Sequence, residues 1–156
     1  NKKFYSWVDL GSEYRAPELS SALLYSQLLK VKKIQNIRKK NWDIFNKLID
    51  KLDSNKCYLI KSNKKSTSAY HILALIFSTA KLANDFKKIF QNKKIAATFH
   101  YVPLHQSKMG KKFCNYRLLL TENIYSRVVR LPLYSEMTKQ EITKISSLIK
   151  AFLIKK

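Results

Sequence analysis

Only two of the 156 residues are glycine, Gly11 and Gly110, and only three are proline. A chain so poor in glycine has no Gly-rich phosphate loop: neither G-x-G-x-x-G nor a Walker pattern occurs, so nothing supports a nucleotide-binding fold of its own. Cysteine is equally sparse. Cys57 and Cys114 lie far apart, outside any C-x-x-C or Cys/His spacing, which argues against a metal site or a redox motif and fits a reducing cytoplasm. No stretch approaches the roughly 20 uninterrupted apolar residues of a membrane helix. Asn1-Lys-Lys-Phe-Tyr-Ser-Trp7 has no long apolar core, so a signal peptide is not expected. Paired carboxylates in a loop and an activated Ser or Cys are missing as well. Acidic residues number 10 against 31 Lys and Arg, for a net charge of +21.

Such a charge ordinarily raises nucleic acid or an anionic membrane surface as a partner. The 26 Lys and 5 Arg are spread along the whole chain, among 10 Asn and 14 Ile, as solvated faces would be in a protein drifting toward those residue types. A basic nucleic-acid-binding domain therefore stands as the second reading, and no membrane partner is expected. With 46% apolar residues the chain is long enough for one real core. Asn1 is not an initiator methionine, so a fragment or a processed chain is expected.

Phe4 to Leu10 alternates as a short extended piece before Gly11-Ser-Glu-Tyr-Arg15. Pro17, with Glu18 beside it, suits the first turn of a helix. An apolar stripe then runs from Leu19 to Leu52 at helical spacing, with an interruption expected near Arg38-Lys-Lys-Asn41. Cys57 to Lys61 reads as a short strand and Tyr70 to Phe77 as a central one, with His71 in a structural role. Ser78 or Thr79 caps a helix through Leu82, Phe86, Ile89 and Phe90. Leu118 to Tyr125 is a further helix and Val128 to Tyr134 is extended, with Pro132 at a strand end or edge. Thr138-Lys-Gln-Glu141 is a capping box, with Met137 and Ile142 placed for a hydrophobic staple. Ile142, Ile145, Ile149 and Phe152 form the buried face of that last helix. The order is that of a small α/β layer.

The chemistry concentrates in Thr98-Phe-His-Tyr-Val-Pro-Leu-His105, which holds two of the three histidines. A residue before proline is pushed into extended geometry, so Tyr101-Val-Pro103 reads as a strand running into a turn. His100 and Val102 would then face one side and Tyr101 the other. Each of the scarce glycines marks a backbone position that another residue would not adopt cheaply.

Four segments in sequence order carry a family resemblance. They are Tyr5-Ser-Trp-Val-Asp-Leu-Gly-Ser-Glu-Tyr14, Pro17 to Leu28, Phe99-His-Tyr-Val-Pro-Leu-His105 and Arg130-Leu-Pro-Leu-Tyr134. Together they resemble the C-terminal part of the DegT-type sugar nucleotide aminotransferases, over essentially the whole chain. The resemblance implies the C-terminal small domain of an aspartate-aminotransferase-like (fold type I) pyridoxal-phosphate enzyme. Its sheet would be small and mainly antiparallel, with packed helices. Residues 1–16 would come from the large-domain junction, 17–52 would be a long linking helix, and 53–156 the small domain. Such an enzyme moves an amino group from L-glutamate to C4 of dTDP-4-oxo-6-deoxyglucose and works as a homodimer. The large domain, not matched here, carries the Schiff-base lysine and most of the cofactor site, so no catalytic residue is assigned to this chain. By the same resemblance Ser12 and Tyr14 approach the cofactor phosphate of the neighbouring subunit. His100, Tyr101 and His105 approach the sugar nucleotide. Imidazole and phenol groups can hydrogen-bond sugar hydroxyls and phosphate oxygens.

Overall fold

A computed structural model describes residues 14–52, 54–63, 65–99, 101–113 and 116–154. The expectations for the opening segment, Gly11, Ser12, His100 and Cys114 lie outside the described residues. The chain divides into two compact units, Asn1–Lys32 and Lys33–Lys156.

In the first unit, helix α1 (Glu18–Leu28) starts after Pro17, whose carbonyl accepts from the Ser21 amide at 2.9 Å. Glu18 sits in the first turn, where the N-terminal end of the helix dipole favours a carboxylate. The expected single helix over 17–52 breaks at Leu29–Lys30, and the next helix, α2, runs over Val31–Leu52. Arg38 to Asn41, where a break was expected, lies inside α2 without interruption. The Lys30 amide reaches back only three residues, to Gln27 O at 3.0 Å, so the last turn tightens before the chain restarts.

The second unit is built on a three-stranded antiparallel sheet in the order β1 (Cys57–Leu59), β2 (Leu73–Phe77), β3 (Val128–Leu131). Its register sets the faces. Cys57 pairs with Phe77, Leu59 with Leu75, Leu75 with Val129 and Leu73 with Leu131; these are the buried, inward-facing residues. Tyr58, Ala74, Ile76, Val128 and Arg130 alternate onto the other face, by the two-residue period of a strand. β2 is central, as its apolar run predicts, but spans five residues rather than eight.

Three helices close over the inward face: α2, α3 (Ala80–Asn92) and α5 (Lys139–Ile154). From α2 come Phe45 and Ile49, from α3 Ala83, Phe86 and Phe90, from α5 Ile142, Ile145, Ile149 and Leu153. On α5 Leu153, not Phe152, is the fully inserted residue; Phe152 packs at the margin, edge-on to Phe77 and Phe86. Asn41 is buried on α2 and donates from Nδ2 to the Tyr134 carbonyl at 3.1 Å, which satisfies an otherwise costly polar group.

Helix ends follow the sequence closely. Thr79 caps α3, its hydroxyl accepting from the Leu82 amide at 3.1 Å. The capping box of α5 closes in both directions: Glu141 N donates to Thr138 Oγ1 at 3.2 Å and Thr138 N to Glu141 Oε2 at 2.8 Å. Met137 and Ile142 both enter the core, as a staple requires. At the other end of α3, Lys94 has φ 56°. Its amide bonds Gln91 O at 2.9 Å and the Ile95 amide bonds Phe90 O at 3.0 Å. This is the double closure of a Schellman turn, made here with lysine in the position glycine usually fills.

Candidate functional site

Between α3 and β3 the expected strand does not form. A single antiparallel bridge joins Thr98 to Arg130, with N to O distances of 3.0 and 2.7 Å, and the chain then leaves the sheet. Pro103 still shapes the exit, but its constraint acts on the preceding residue alone. Sheet pairing needs a partner edge, and among the described residues of this segment Thr98 alone bridges to β3. The alternation expected for Tyr101 and Val102 is accordingly absent: Tyr101, Val102, Pro103 and Leu104 all line one cavity of about 590 Å³. Its opposite wall comes from helix α4 (Leu119–Tyr125), through Leu120, Thr121, Ile124 and Tyr125. Phe99 holds the start of the loop against this helix, edge-on to Tyr125 at 5.8 Å. Val128 belongs both to this cavity and to a second one of about 370 Å³ on the outward face of the sheet, where Trp42, Tyr70, exposed His71 and Arg130 meet. His71 is thus a rim residue and not a core one.

Beyond Pro103 the chain makes two short 3-10 turns, Leu104–Gln106 and Gly110–Lys112. Ser107 ties them together: its hydroxyl donates to Leu104 O at 2.7 Å and accepts from the Gly110 amide at 2.9 Å. Gly110 is required, but for space. Its φ is not in the left-handed region; a Cβ there would stand 1.7 Å from the Leu104 carbonyl oxygen. The left-handed positions fall instead on Tyr70 and Lys94 among the described residues.

The candidate residues are placed unequally. Tyr101 is 75% exposed on the cavity wall. His105 sits in the first 3-10 turn with its side chain 8% exposed, its Nε2 at 3.1 Å from Glu122 Oε1 on α4. Tyr14 is exposed in the first unit. Glu122 was missed in reading the sequence, although one signal was there: it is the sole acidic residue between Asp85 and Glu136. Arg117 donates to its other oxygen, Oε2, from Nη2 at 2.7 Å and Nε at 3.3 Å. The Arg117 guanidinium first, and the His105 ring second, hold the Glu122 carboxyl well below the usual carboxylate range, at about 2. The Cys57 thiol, buried in β1, is pushed up to about 11 by desolvation, which leaves it unreactive at neutral pH. Among the described residues no group of His, Cys, Asp and Glu is arranged to hold a metal ion, and no helix is long and apolar enough to cross a membrane.

This architecture is shared with solved sugar aminotransferases. Helicobacter pylori PseC, an aminotransferase involved in pseudoaminic acid biosynthesis, superposes with a TM-score of 0.83 at 19% identity, covering 98% of this chain and 42% of its own. S. venezuelae DesV gives 0.86 at 15% identity, over 100% and 42%. An aminotransferase of the DegT DnrJ EryC1 StrS type from Brucella abortus gives 0.82 at 20% identity, over 99% and 40%. In sequence, an uncharacterised protein of Methanocaldococcus jannaschii is 23% identical over 153 residues, which are 94% of this chain and 39% of that protein. The chain thus spans about two fifths of the length of these relatives. The sequence model of the DegT/DnrJ/EryC1/StrS aminotransferases matches residues 1–150, and the chain belongs to that family.

Proposed function

We propose that this chain is the C-terminal part of a pyridoxal-phosphate-dependent sugar nucleotide aminotransferase. The amino group moves from L-glutamate to C4 of dTDP-4-oxo-6-deoxyglucose, as in dTDP-4-amino-4,6-dideoxygalactose transaminases, in cytoplasmic synthesis of a surface polysaccharide. The observation that carries this reading is the family match over residues 1–150, within which the Tyr101 to Leu104 segment walls a cavity. Residues 53–156 serve as the small domain and 17–52 as its link. Pyridoxal phosphate, when bound, supplies the electron sink for amino transfer. Tyr14 suits its phosphate in chemistry, since an exposed phenol is a ready hydrogen-bond donor; Ser12 is assigned beside it, both serving the neighbouring subunit of a homodimer. This chain supplies no lysine for the cofactor. Its part is to orient the ketosugar, with Tyr101 on the cavity wall and with His100 and His105 assigned to the same ligand. The phenol ring of Tyr101 offers both an apolar face and a polar tip.

The test is amination of dTDP-4-oxo-6-deoxyglucose by the full-length enzyme, with pyridoxal phosphate and L-glutamate present. Tyr101→Phe is expected to slow the ketosugar half-reaction while the glutamate half-reaction stays intact. No turnover of any dTDP-ketosugar by the full-length enzyme would refute the substrate, and equal losses in both half-reactions would refute the role of Tyr101. The 156-residue chain alone is expected to be inactive under the same conditions.

A further inference from the structure

One polar joint ties the 3-10 loop to α4, and everything in it converges on a single carboxylate. Glu122 Oε2 is committed to Arg117 by two contacts, at 2.7 and 3.3 Å. Oε1 is thereby left to the His105 ring, at 3.1 Å from Nε2. The guanidinium is 75% exposed, whereas the carboxylate and the imidazole are 14% and 8% exposed. The joint therefore orders from the outside inward: an exposed cation fixes a sheltered anion, and the anion fixes a sheltered ring. A carboxylate held ionised can accept a hydrogen bond but not donate one. Nε2 must then carry the hydrogen.

We propose that Glu122 is a positioning residue that holds His105 as the Nε2–H tautomer and so presents Nδ1, a hydrogen-bond acceptor in the neutral ring, to a hydroxyl of the sugar. No other hydrogen bond engages His105 among the described residues. In that tautomer the neutral ring can accept at Nδ1 but not donate there, so a hexose hydroxyl suits it, whereas a phosphate oxygen does not. The tautomer assignment stands on the joint alone; only the identity of the donor rests on the proposed function. A carboxylate that sets the tautomer of a working imidazole is a device with known consequences elsewhere, where the wrong tautomer costs most of the activity.

The experiment is nitrogen NMR of the full-length protein labelled with 15N-histidine, with the His105 resonances identified as those lost in His105→Gln. Wild type is expected to show Nε2 protonated and Nδ1 unprotonated, by about tenfold or more over the other tautomer, as a charge-assisted bond implies. Glu122→Ala should remove that bias, and Glu122→Asp should restore part of it. Protonated Nδ1 in the wild type, or an unchanged tautomer in folded Glu122→Ala, would overturn the positioning. The wild-type spectrum needs no variant, so a folding defect does not remove the test. Two probes then separate the ligands: dTDP-glucose should shift the Nδ1 resonance and dTDP alone should not. Equal shifts with both would overturn the hydroxyl assignment. A locked tautomer that ignores both probes would support the joint and refute sugar binding at His105.

Discussion

The inward face of the sheet and the loop between Thr98 and Leu118 are held together by opposite means. Seven strand residues and three helices share one apolar cluster on the inward face, where dispersion and desolvation act over many small contacts and no single one decides. In the loop the apolar residues face outward: Leu104, Met109, Phe113 and Leu118 are exposed. Its shape hangs on the Thr98–Arg130 bridge, the Ser107 bonds, the space left by Gly110 and the Glu122 joint. Burial gives a structure that degrades gradually, whereas a few directional contacts give one that fails at named points. A cavity wall that must keep its geometry while its apolar residues stay exposed needs the second kind.

The largest expected effect is on the packed side. Phe86 is fully buried, stacked on Phe90 with ring centroids 4.3 Å apart and edge-on to Phe152. Phe86→Ala should cost about 3–5 kcal/mol, seen as a lower midpoint in chemical denaturation of the full-length protein. A loss below about 1 kcal/mol would mean that the cluster is not the cooperative centre. Gly110→Ala sharpens the contrast from the other side. Because the new methyl meets the Leu104 carbonyl, a backbone atom that cannot rotate away, a cost of about 1–3 kcal/mol is expected. It should be local: faster hydrogen exchange at Ser107, Lys111 and Phe113, whose amides close the two turns, with β2 amides unchanged. Uniform acceleration would show that loop and core are one unit.

The smallest effect is a matter of pH. Glu122 has a depressed folded pKa, so its contribution is fully present above about 4.5 and is lost as pH falls toward about 2. Between those limits the His105 turn should come away from α4 while the core persists. Near-ultraviolet signals from Tyr101 and Tyr125 would change before far-ultraviolet helix content does. Coincident transitions would remove the distinction between the two regions.

The same division governs what can be read from the chain. α3, α5 and β2 were legible because each carries its own periodicity and, for the two helices, its own cap: Thr79, Thr138 and Glu141 act within one turn of themselves. The break at Leu29–Lys30 was not, since no glycine or proline marks it and Leu29 remains in the right-handed region. Phe99 to Val102 looks like a strand residue by residue, but a strand is made by its neighbour, and among the described residues of this segment Thr98 alone bridges to β3. His105 stood out as a rare residue type. Its carboxylate partner lies 17 residues on, and nothing local announces a contact that depends on how α4 comes to rest.

The Schellman turn at Lys94 does more than end a helix. From Ile95 N, fixed on Phe90 O, to Thr98, fixed on Arg130, the chain has no slack. Ala97 is buried in the core cluster while Ala96 and Thr98 are exposed, so these few residues serve as a spacer whose length sets where the cavity wall begins. One residue inserted there would turn Ala97 to solvent and Thr98 inward, and would carry Tyr101 and His105 onward by about 3.3 Å. Exchange at the Thr98 and Arg130 amides would report the lost bridge. Replacing Ala96 by serine should leave those amides protected, because the count of residues in this spacer matters more than their identity.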